Sequence, residues 1–181
     1  MGRVYEQIDE NLAKTIQEQH VFFVATAPLD ARGNLNLSPK GLDSFRILGP
    51  RTVAYLDLIG SGVETIAHLK ENGRIVIMFC KFQGTPNIFR LHGMGRVVES
   101  NAPEFPELAA KFPPYEAMRA IIVVDVTRIS HSCGFSVPLM QYEGERPQHF
   151  AWAAKKGVEG LKMYKQEKNR RSIDGLPGLT E

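Results

Sequence analysis

The chain has 181 residues, of which 43% are hydrophobic and 23% are charged. These proportions are typical of a soluble globular protein, so we expect one folded domain over residues 1–181 rather than a disordered chain. The net charge of +2, from 22 basic and 20 acidic side chains, is small for a protein that neutralises many nucleic-acid phosphates, and we expect no nucleic-acid partner.

The first forty residues predict a helix followed by a β-hairpin. Apolar residues recur one helical turn apart within Tyr5–Gln19, which indicates an amphipathic helix. Val21–Thr26 is β-branched and aromatic, and Asp30–Asn34 has the composition of a turn. Alternation resumes at Leu35–Ser38, so the two runs predict paired strands.

Four further strands follow, at Thr52–Leu58, Arg74–Phe79, Ile88–Val98 and Ala120–Arg128. A short helix is predicted before the second of these, with Asn72-Gly73 as its stop signal. Pro103–Pro114 predicts irregular structure or short helices, and Phe150–Arg171 predicts one or two helices.

The spacing of these strands predicts the fold class. Most connections are too short for crossover helices, so an alternating β-α-β protein is excluded. We therefore expect a mainly β (α+β) protein. Its core is a six-stranded antiparallel split β-barrel of the Greek-key type over residues 20–132, with flanking helices and a helical extension over residues 147–181.

The segment Gly60-Ser61-Gly62-Val63-Glu64-Thr65 is a candidate phosphate site. A glycine-rich turn that enters a helix presents free backbone N–H groups at the positive end of the helix dipole. Ser61 and Glu64 also have capping-box spacing. The alternative is a well-capped helix without a ligand.

Two basic residues are candidate ligand contacts. Lys40 ends the second strand of the hairpin, where it would lie near the glycine turn and supply a counter-charge, and Ser38 could add a hydroxyl. Arg90 lies on a later strand. The alternative is that both basic side chains are solvated and contact no ligand.

Other kinds of site find little support. The five histidines show no metal-ligand spacing, so we expect no metal, and no Gly-x-Ser-x-Gly elbow is present. Gly93-Met94-Gly95 lacks the third glycine and the following helix of a dinucleotide fingerprint. The lysines and arginines of residues 162–171 predict a solvated helix face, with RNA binding as a remote alternative.

The cellular location is predicted from what the chain contains. The polar, acidic first twenty residues do not resemble a secretion signal, and no apolar run is long enough to cross a membrane. Cys80 and Cys133 are best interpreted as free thiols in a reducing compartment. We therefore expect a cytoplasmic protein without a membrane partner.

The segments Leu35–Gly41, Tyr55–Thr65 and Ile66–Phe79, in this order, resemble the pyridoxamine 5′-phosphate oxidase-like, FMN-binding split-barrel family. The resemblance covers Ile8–Gly134. It implies a homodimer with FMN at the subunit interface. It implies cofactor contacts at Asn36, Leu37, Ser38, Lys40, Leu58, Ile59, Gly60, Ser61, Gly62, Thr65 and Arg90.

Two departures from the family pattern bear on the substrate. Glu64-Thr65 stands where the true oxidases have an Arg-Lys pair that grips the FMN phosphate, and Ser132 stands where they have a tryptophan. The phosphate grip would therefore depend on Lys40, Ser61, Thr65 and backbone donors. Pyridoxamine phosphate itself is not the expected substrate.

The resemblance implies an FMN-dependent oxidoreductase that transfers hydride or electrons to or from a small molecule, with NAD(P)H as a possible partner. No catalytic side chain is predicted, because the cofactor would supply the chemistry. The candidates for the substrate side are His131, Cys133, Arg146 and Trp152. The alternatives are a family member that uses F420 or haem, and a flavin-binding or sensing protein without catalysis.

Overall fold

A computed structural model describes residues 2–180, in which eight strands and four helices are present. In chain order they are β1 (Arg3–Tyr5), α1 (Glu10–Gln17), β2 (Phe22–Thr26), β3 (Asn36–Lys40), β4 (Phe45–Gly49), β5 (Thr52–Leu58), α2 (Glu64–Asn72), β6 (Arg74–Cys80), β7 (Asn87–Glu99), α3 (Phe105–Ala109), β8 (Met118–Cys133) and α4 (Gln148–Lys168). The predicted class, mainly β with flanking helices, is confirmed, although the sheet has eight strands and not the predicted six.

The strands form one antiparallel sheet in the order β3-β2-β6-β7-β8-β5-β4, with β1 paired to the end of β8. The end strands β3 and β4 do not pair with each other in this part of the chain, so the sheet is open. It nevertheless curls, because the ring of Phe22 on β2 lies 5.2 Å from that of Phe45 on β4. Phe45 also lies 5.1 Å from Phe79 on β6. An open, curled sheet around one core fits the predicted split barrel.

The bend of the sheet depends on a bulge in its two longest strands. The register of β7 against β8 shifts between His92 and Gly93. A Cβ atom at Gly93 would lie 2.3 Å from the carbonyl oxygen of Asp125 and 2.8 Å from Cγ1 of Val124. Only glycine allows the strands to approach this closely, and such bulges bend a strand.

The structure corrects several predicted elements. The helix predicted over Tyr5–Gln19 begins only at Glu10, because the side chain of Asp9 caps it by accepting from Leu12 N at 2.8 Å. Tyr5 instead belongs to β1. The prediction also missed β4, whose five residues are too few to show alternation, and ended β8 at Arg128 although pairing continues to Cys133.

The C-terminal region covers one end of the barrel. The predicted helices are present as α4, which is interrupted at Gly157, where φ is 62°. Its buried residues Ala153 and Leu161 pack against Ile59, at the end of β5. Residues 169–180, which we call the C-terminal segment, then lie against α2. No helix within residues 2–180 has the length and apolar character needed to cross a membrane.

Candidate functional site

The connection from β5 to α2 enters the helix without a side-chain cap. The N-cap residue is Val63, which makes no side-chain hydrogen bond to the helix. The predicted capping box of Ser61 and Glu64 is therefore wrong: Glu64 occupies the first helical position, too early to act as its second member. Its Oε1 instead accepts from Ile173 N at 3.2 Å. The first N–H groups of α2 consequently have no partner within the helix.

The carbonyl groups of this turn are held by side chains from distant parts of the chain. The three pairs are His149 Nε2 to Ile59 O at 3.0 Å, Asn169 Nδ2 to Gly60 O at 2.8 Å, and Arg119 Nη1 to Gly62 O at 2.8 Å. Because an oxygen can only accept, His149 donates from Nε2.

These contacts determine where the backbone N–H groups of the turn point. No peptide bond among the described residues is cis, and in a trans peptide the N–H points opposite to the C=O. The N–H groups of Gly60, Ser61 and Val63 therefore point away from the three side chains. Within residues 2–180 none of them donates a hydrogen bond. Such a group of backbone donors at a helix start is suited to bind an anion.

A buried ion cluster supports the turn. Asp57 on β5 is inaccessible to solvent and accepts from Lys40 Nζ at 2.9 Å and from Arg119 Nε at 2.8 Å. Burial alone would raise the pKa of the Asp57 carboxyl group, but the two cations outweigh it and lower this pKa to about 2. The cluster of two cations and one carboxylate therefore has a net charge of +1. The carboxylate of Glu64, whose Oε2 lies against Gly62, places a negative charge at the turn itself.

The cluster also changes the interpretation of Lys40. Its ammonium group pairs with Asp57, across the gap between β3 and β5. Asp57 in turn pairs with Arg119, and Arg119 donates to Gly62 O in the turn, so Lys40 is linked to the turn indirectly. Sequence reasoning missed both Asp57 and Arg119. Asp57 is the lone charge in an otherwise apolar strand, and Arg119 directly precedes the apolar run Ala120–Val124. This signal could have identified them, because a buried charge requires a partner.

A polar network joins the predicted contacts of β3 to α2. Asn36 Nδ2 donates to Thr65 Oγ1 at 2.9 Å, and Ser38 Oγ donates to Asn36 Oδ1 at 3.0 Å. On the other side, Thr26 Oγ1 lies 2.9 Å from Nδ1 of the fully buried His68. Burial lowers the pKa of His68, which favours its neutral form. The structure thus brings Asn36, Ser38 and Thr65 together.

The outer face of the sheet next to this site is unusually apolar. Directly paired residues share a face, and two rows of such residues cross from β3 to β7. The first row is Leu37, Ala25, Val76 and His92, and the second is Pro39, Phe23, Met78 and Arg90. Each row is apolar on β3, β2 and β6 and ends in a polar residue on β7. Leu37 is 67% exposed, and Leu35 beside it is 81% exposed. Arg90 ends the second row and donates from Nη1 to Ser132 Oγ at 3.0 Å.

A cleft of about 690 Å³ opens beside Lys40. Arg146, His149, His20 and Tyr142 contribute to its lining, and the rings of His20 and Tyr142 stack with centroids 3.6 Å apart. The cleft therefore combines basic groups with an aromatic wall. It brings together Lys40, a predicted cofactor contact, and Arg146, a predicted substrate-side residue.

The other substrate-side candidates do not line this cleft. His131 Nε2 lies 2.7 Å from Asn87 Oδ1, and Cys133 is exposed at the end of β8. Trp152 packs on Tyr164 within the C-terminal helix, with ring centroids 5.1 Å apart. Residues 2–180 contain no cluster of three or more potential metal ligands.

Comparison with known proteins agrees with this architecture. Residues 8–133 match the family described as pyridoxamine 5′-phosphate oxidase. The chain is 40% identical over 192 residues to the pyridoxamine 5′-phosphate oxidase family protein ustO of Aspergillus flavus. This match covers 97% of the chain and 77% of that protein.

Solved structures show the same fold at low identity. The HupZ protein of Group A Streptococcus superposes with a TM-score of 0.53 at 24% identity, over 67% of this chain and 91% of that chain. A putative pyridoxamine 5′-phosphate oxidase of Lactobacillus delbrueckii gives a TM-score of 0.52 at 19% identity, over 69% and 94%. From the extent of the family match and the identity to the Aspergillus protein, the chain belongs to the pyridoxamine 5′-phosphate oxidase family.

Proposed function

We propose that this protein binds FMN at the turn before α2 and is an oxidoreductase that acts on a small molecule other than pyridoxamine phosphate. The observation that carries the proposal is the set of three turn N–H groups that point away from the side chains holding their carbonyls. A phosphate needs several converging donors and a nearby positive charge. The turn and the uncapped helix start supply backbone donors, and the Asp57 cluster supplies a net positive charge nearby.

The hydrogen-bond donors at the turn could hold a phosphomonoester even though this chain lacks the Arg-Lys pair of the true oxidases. Thr65 lies in the first turn of α2, where its Oγ1 accepts from Asn36, and its hydroxyl group could also donate to a phosphate. Ser61 is exposed in the turn itself. Glu64 Oε1 accepts from Ile173 N, and Oε2 lies against Gly62, so this carboxylate has to move aside when a phosphate binds. The remaining predicted contacts, Leu58 at the end of β5 and Arg90 on the outer face, would face the rest of the cofactor.

The apolar outer face supports a homodimer with the cofactor at its seam. Large apolar patches on a soluble protein commonly mark an interface, and the rows from β3 to β7 form such a patch. The free edge of β3, with Leu35 and Leu37 exposed, lies between this patch and the anion-binding turn. A second copy packed on this face would enclose a planar ring system against β3.

The cleft beside Lys40 is our candidate for the substrate side. When bound, FMN supplies hydride or electron transfer, and the protein then has to hold the substrate and exclude water. Lys40, Arg146 and His149 outnumber the one acidic lining residue, Glu145, which accepts from Tyr142, and would favour an acidic substrate. Tyr142 stacked on His20 offers a flat surface. NAD(P)H is the proposed electron donor. Both cysteines are unpaired, which supports a cytoplasmic location.

The proposal is tested on the purified protein. We expect a yellow protein whose ligand, released by denaturation, has the mass of FMN, and which oxidises NAD(P)H in the presence of an electron acceptor. A colourless protein that takes up no added FMN would overturn the proposal, as would a ligand identified as F420 or haem. Tight FMN binding without any turnover would show a binding or sensing protein instead.

A further inference from the structure

The C-terminal segment contributes a side chain directly to the anion-binding turn. Asn169 follows α4, is completely buried, and donates from Nδ2 to Gly60 O at 2.8 Å. Its backbone is fixed on both sides, since its N–H donates to Lys165 O at 2.8 Å and its carbonyl accepts from Leu179 N at 2.8 Å. A buried amide fixed in this way holds the Gly60 carbonyl in one orientation.

The segment is also packed tightly against the start of α2. A Cβ atom at Gly178 would lie 2.3 Å from Asn169 O and 2.9 Å from Cγ1 of Val63, so the backbone passes as close as a glycine permits. Ile173 N donates to Glu64 Oε1 at 3.2 Å, and Gly178 O accepts from Lys70 Nζ. These contacts fix Asn169 relative to the turn.

We propose that Asn169 is a positioning residue of the phosphate site: by holding Gly60 O, it directs the N–H of Ser61 toward the phosphate of the cofactor. This inference rests on the proposed function. Without the amide donor, the peptide between Gly60 and Ser61 is free to rotate, and one donor of the site loses its preset direction. A carboxylate at the same position would repel the Gly60 carbonyl and add a negative charge beside the phosphate.

The test compares FMN with riboflavin, which lacks the phosphate. For Asn169→Asp we expect the dissociation constant of FMN to rise by about a hundredfold, and for Asn169→Ala by about tenfold, with little change for riboflavin. Asn11→Asp, at an exposed position on α1, is the matched control and should change neither affinity. Asn169→Ala provides the answer if the aspartate variant does not fold.

The outcomes separate this inference from the proposed function. If the unmodified protein binds FMN much more tightly than riboflavin but Asn169→Ala keeps that ratio, the positioning role is wrong and the FMN site remains. Equal weakening of FMN and riboflavin would also contradict it, because that is the result of general loosening. If the unmodified protein binds no FMN, both proposals fail.

Discussion

The carboxylate of Asp57 and the guanidinium of Arg119 form a buried ion pair, with 2.8 Å between Oδ2 and Nε. The same guanidinium donates to Gly62 O, so one arginine connects a charge inside the barrel to the turn that would hold the cofactor. Lys40, on the edge strand β3, completes the cluster by pairing with Asp57 across the gap between β3 and β5. If the cofactor binds as proposed, stability and cofactor binding depend on the same three side chains.

Asp57 predicts a specific loss of stability in acid. Its pKa is lowered from 3.8 to about 2 in the folded protein, so it contributes about 2 kcal/mol of stability that is complete above about pH 4. That contribution disappears as the pH falls toward 2. Urea unfolding between pH 2 and 6 should show this decline in the unmodified protein and a smaller decline in Asp57→Asn.

The same substitution should destabilise the protein by about 3 kcal/mol at pH 7, because it leaves the buried Arg119 and the half-buried Lys40 without a full counter-charge. Asp125→Asn, at an exposed position on β8, is the control and should keep both the stability and its pH dependence. An Asp57→Asn protein as stable as the parent at pH 7 would show that the cluster does not stabilise the fold.

Lys40→Ala tests the contribution of the cluster's charge to cofactor binding. Removing one cation cancels the net positive charge beside the turn, so we expect the dissociation constant of FMN to rise about tenfold, or about 1.4 kcal/mol. Fluorescence titration measures this directly. Lys155→Ala, on the exposed face of α4, should leave the affinity unchanged. Unchanged affinity in Lys40→Ala would place the phosphate elsewhere.

A substitution at Gly93 tests whether the bulge in β7 requires a residue without a side chain. Gly93→Ala should lower the free energy of unfolding by more than about 2 kcal/mol, because the new methyl group collides with backbone atoms of β8. At Gly49, a new methyl group would have no neighbour within 4 Å, so Gly49→Ala should cost less than about 1 kcal/mol. Similar urea midpoints for the two variants would show that the bulge tolerates a side chain.

Leu37 tests the proposed dimer interface. Leu37→Lys places a charge on the β3 edge of the apolar outer face, beside the proposed cofactor seam, and we expect it to convert a dimer into a monomer in sedimentation velocity experiments. Leu29, which is 63% exposed but lies outside the strands, provides the control Leu29→Lys, which should remain dimeric. A Leu37→Lys protein that sediments as the parent dimer would exclude this face as the seam.

Much of the fold followed from local patterns in the sequence. Thr52–Leu58 has the bounds that were predicted, and Asn72-Gly73 does end α2, with Gly73 in the left-handed conformation at φ 72°. Short-range chemistry of this kind is encoded in neighbouring residues. The missed β4 and the overlong α1 were errors of context: β4 exists because β5 pairs with it, and Asp9 rather than apolar spacing sets where α1 begins.

The candidate site was harder to predict from local sequence patterns. The glycine turn was identified from its own residues, but the side chains that hold it come from β8, α4 and the C-terminal segment. His149 and Asn169 are separated from the turn by 90 and 109 residues. No local pattern reports a contact over that distance. Glu64 was assigned a cap because its spacing from Ser61 suggested one, whereas the position of the helix start gave it a different partner.

The most direct test of the central claim is a comparison of FMN and riboflavin binding to the flavin-free protein. In the proposed complex the phosphate of the cofactor lies at the turn between β5 and α2, where it would accept from backbone N–H groups of the turn and from Thr65. Because several charge-assisted hydrogen bonds would be lost with the phosphate, FMN should bind at least about a hundredfold more tightly than riboflavin. Equal affinities for the two flavins would contradict a phosphate site at this turn.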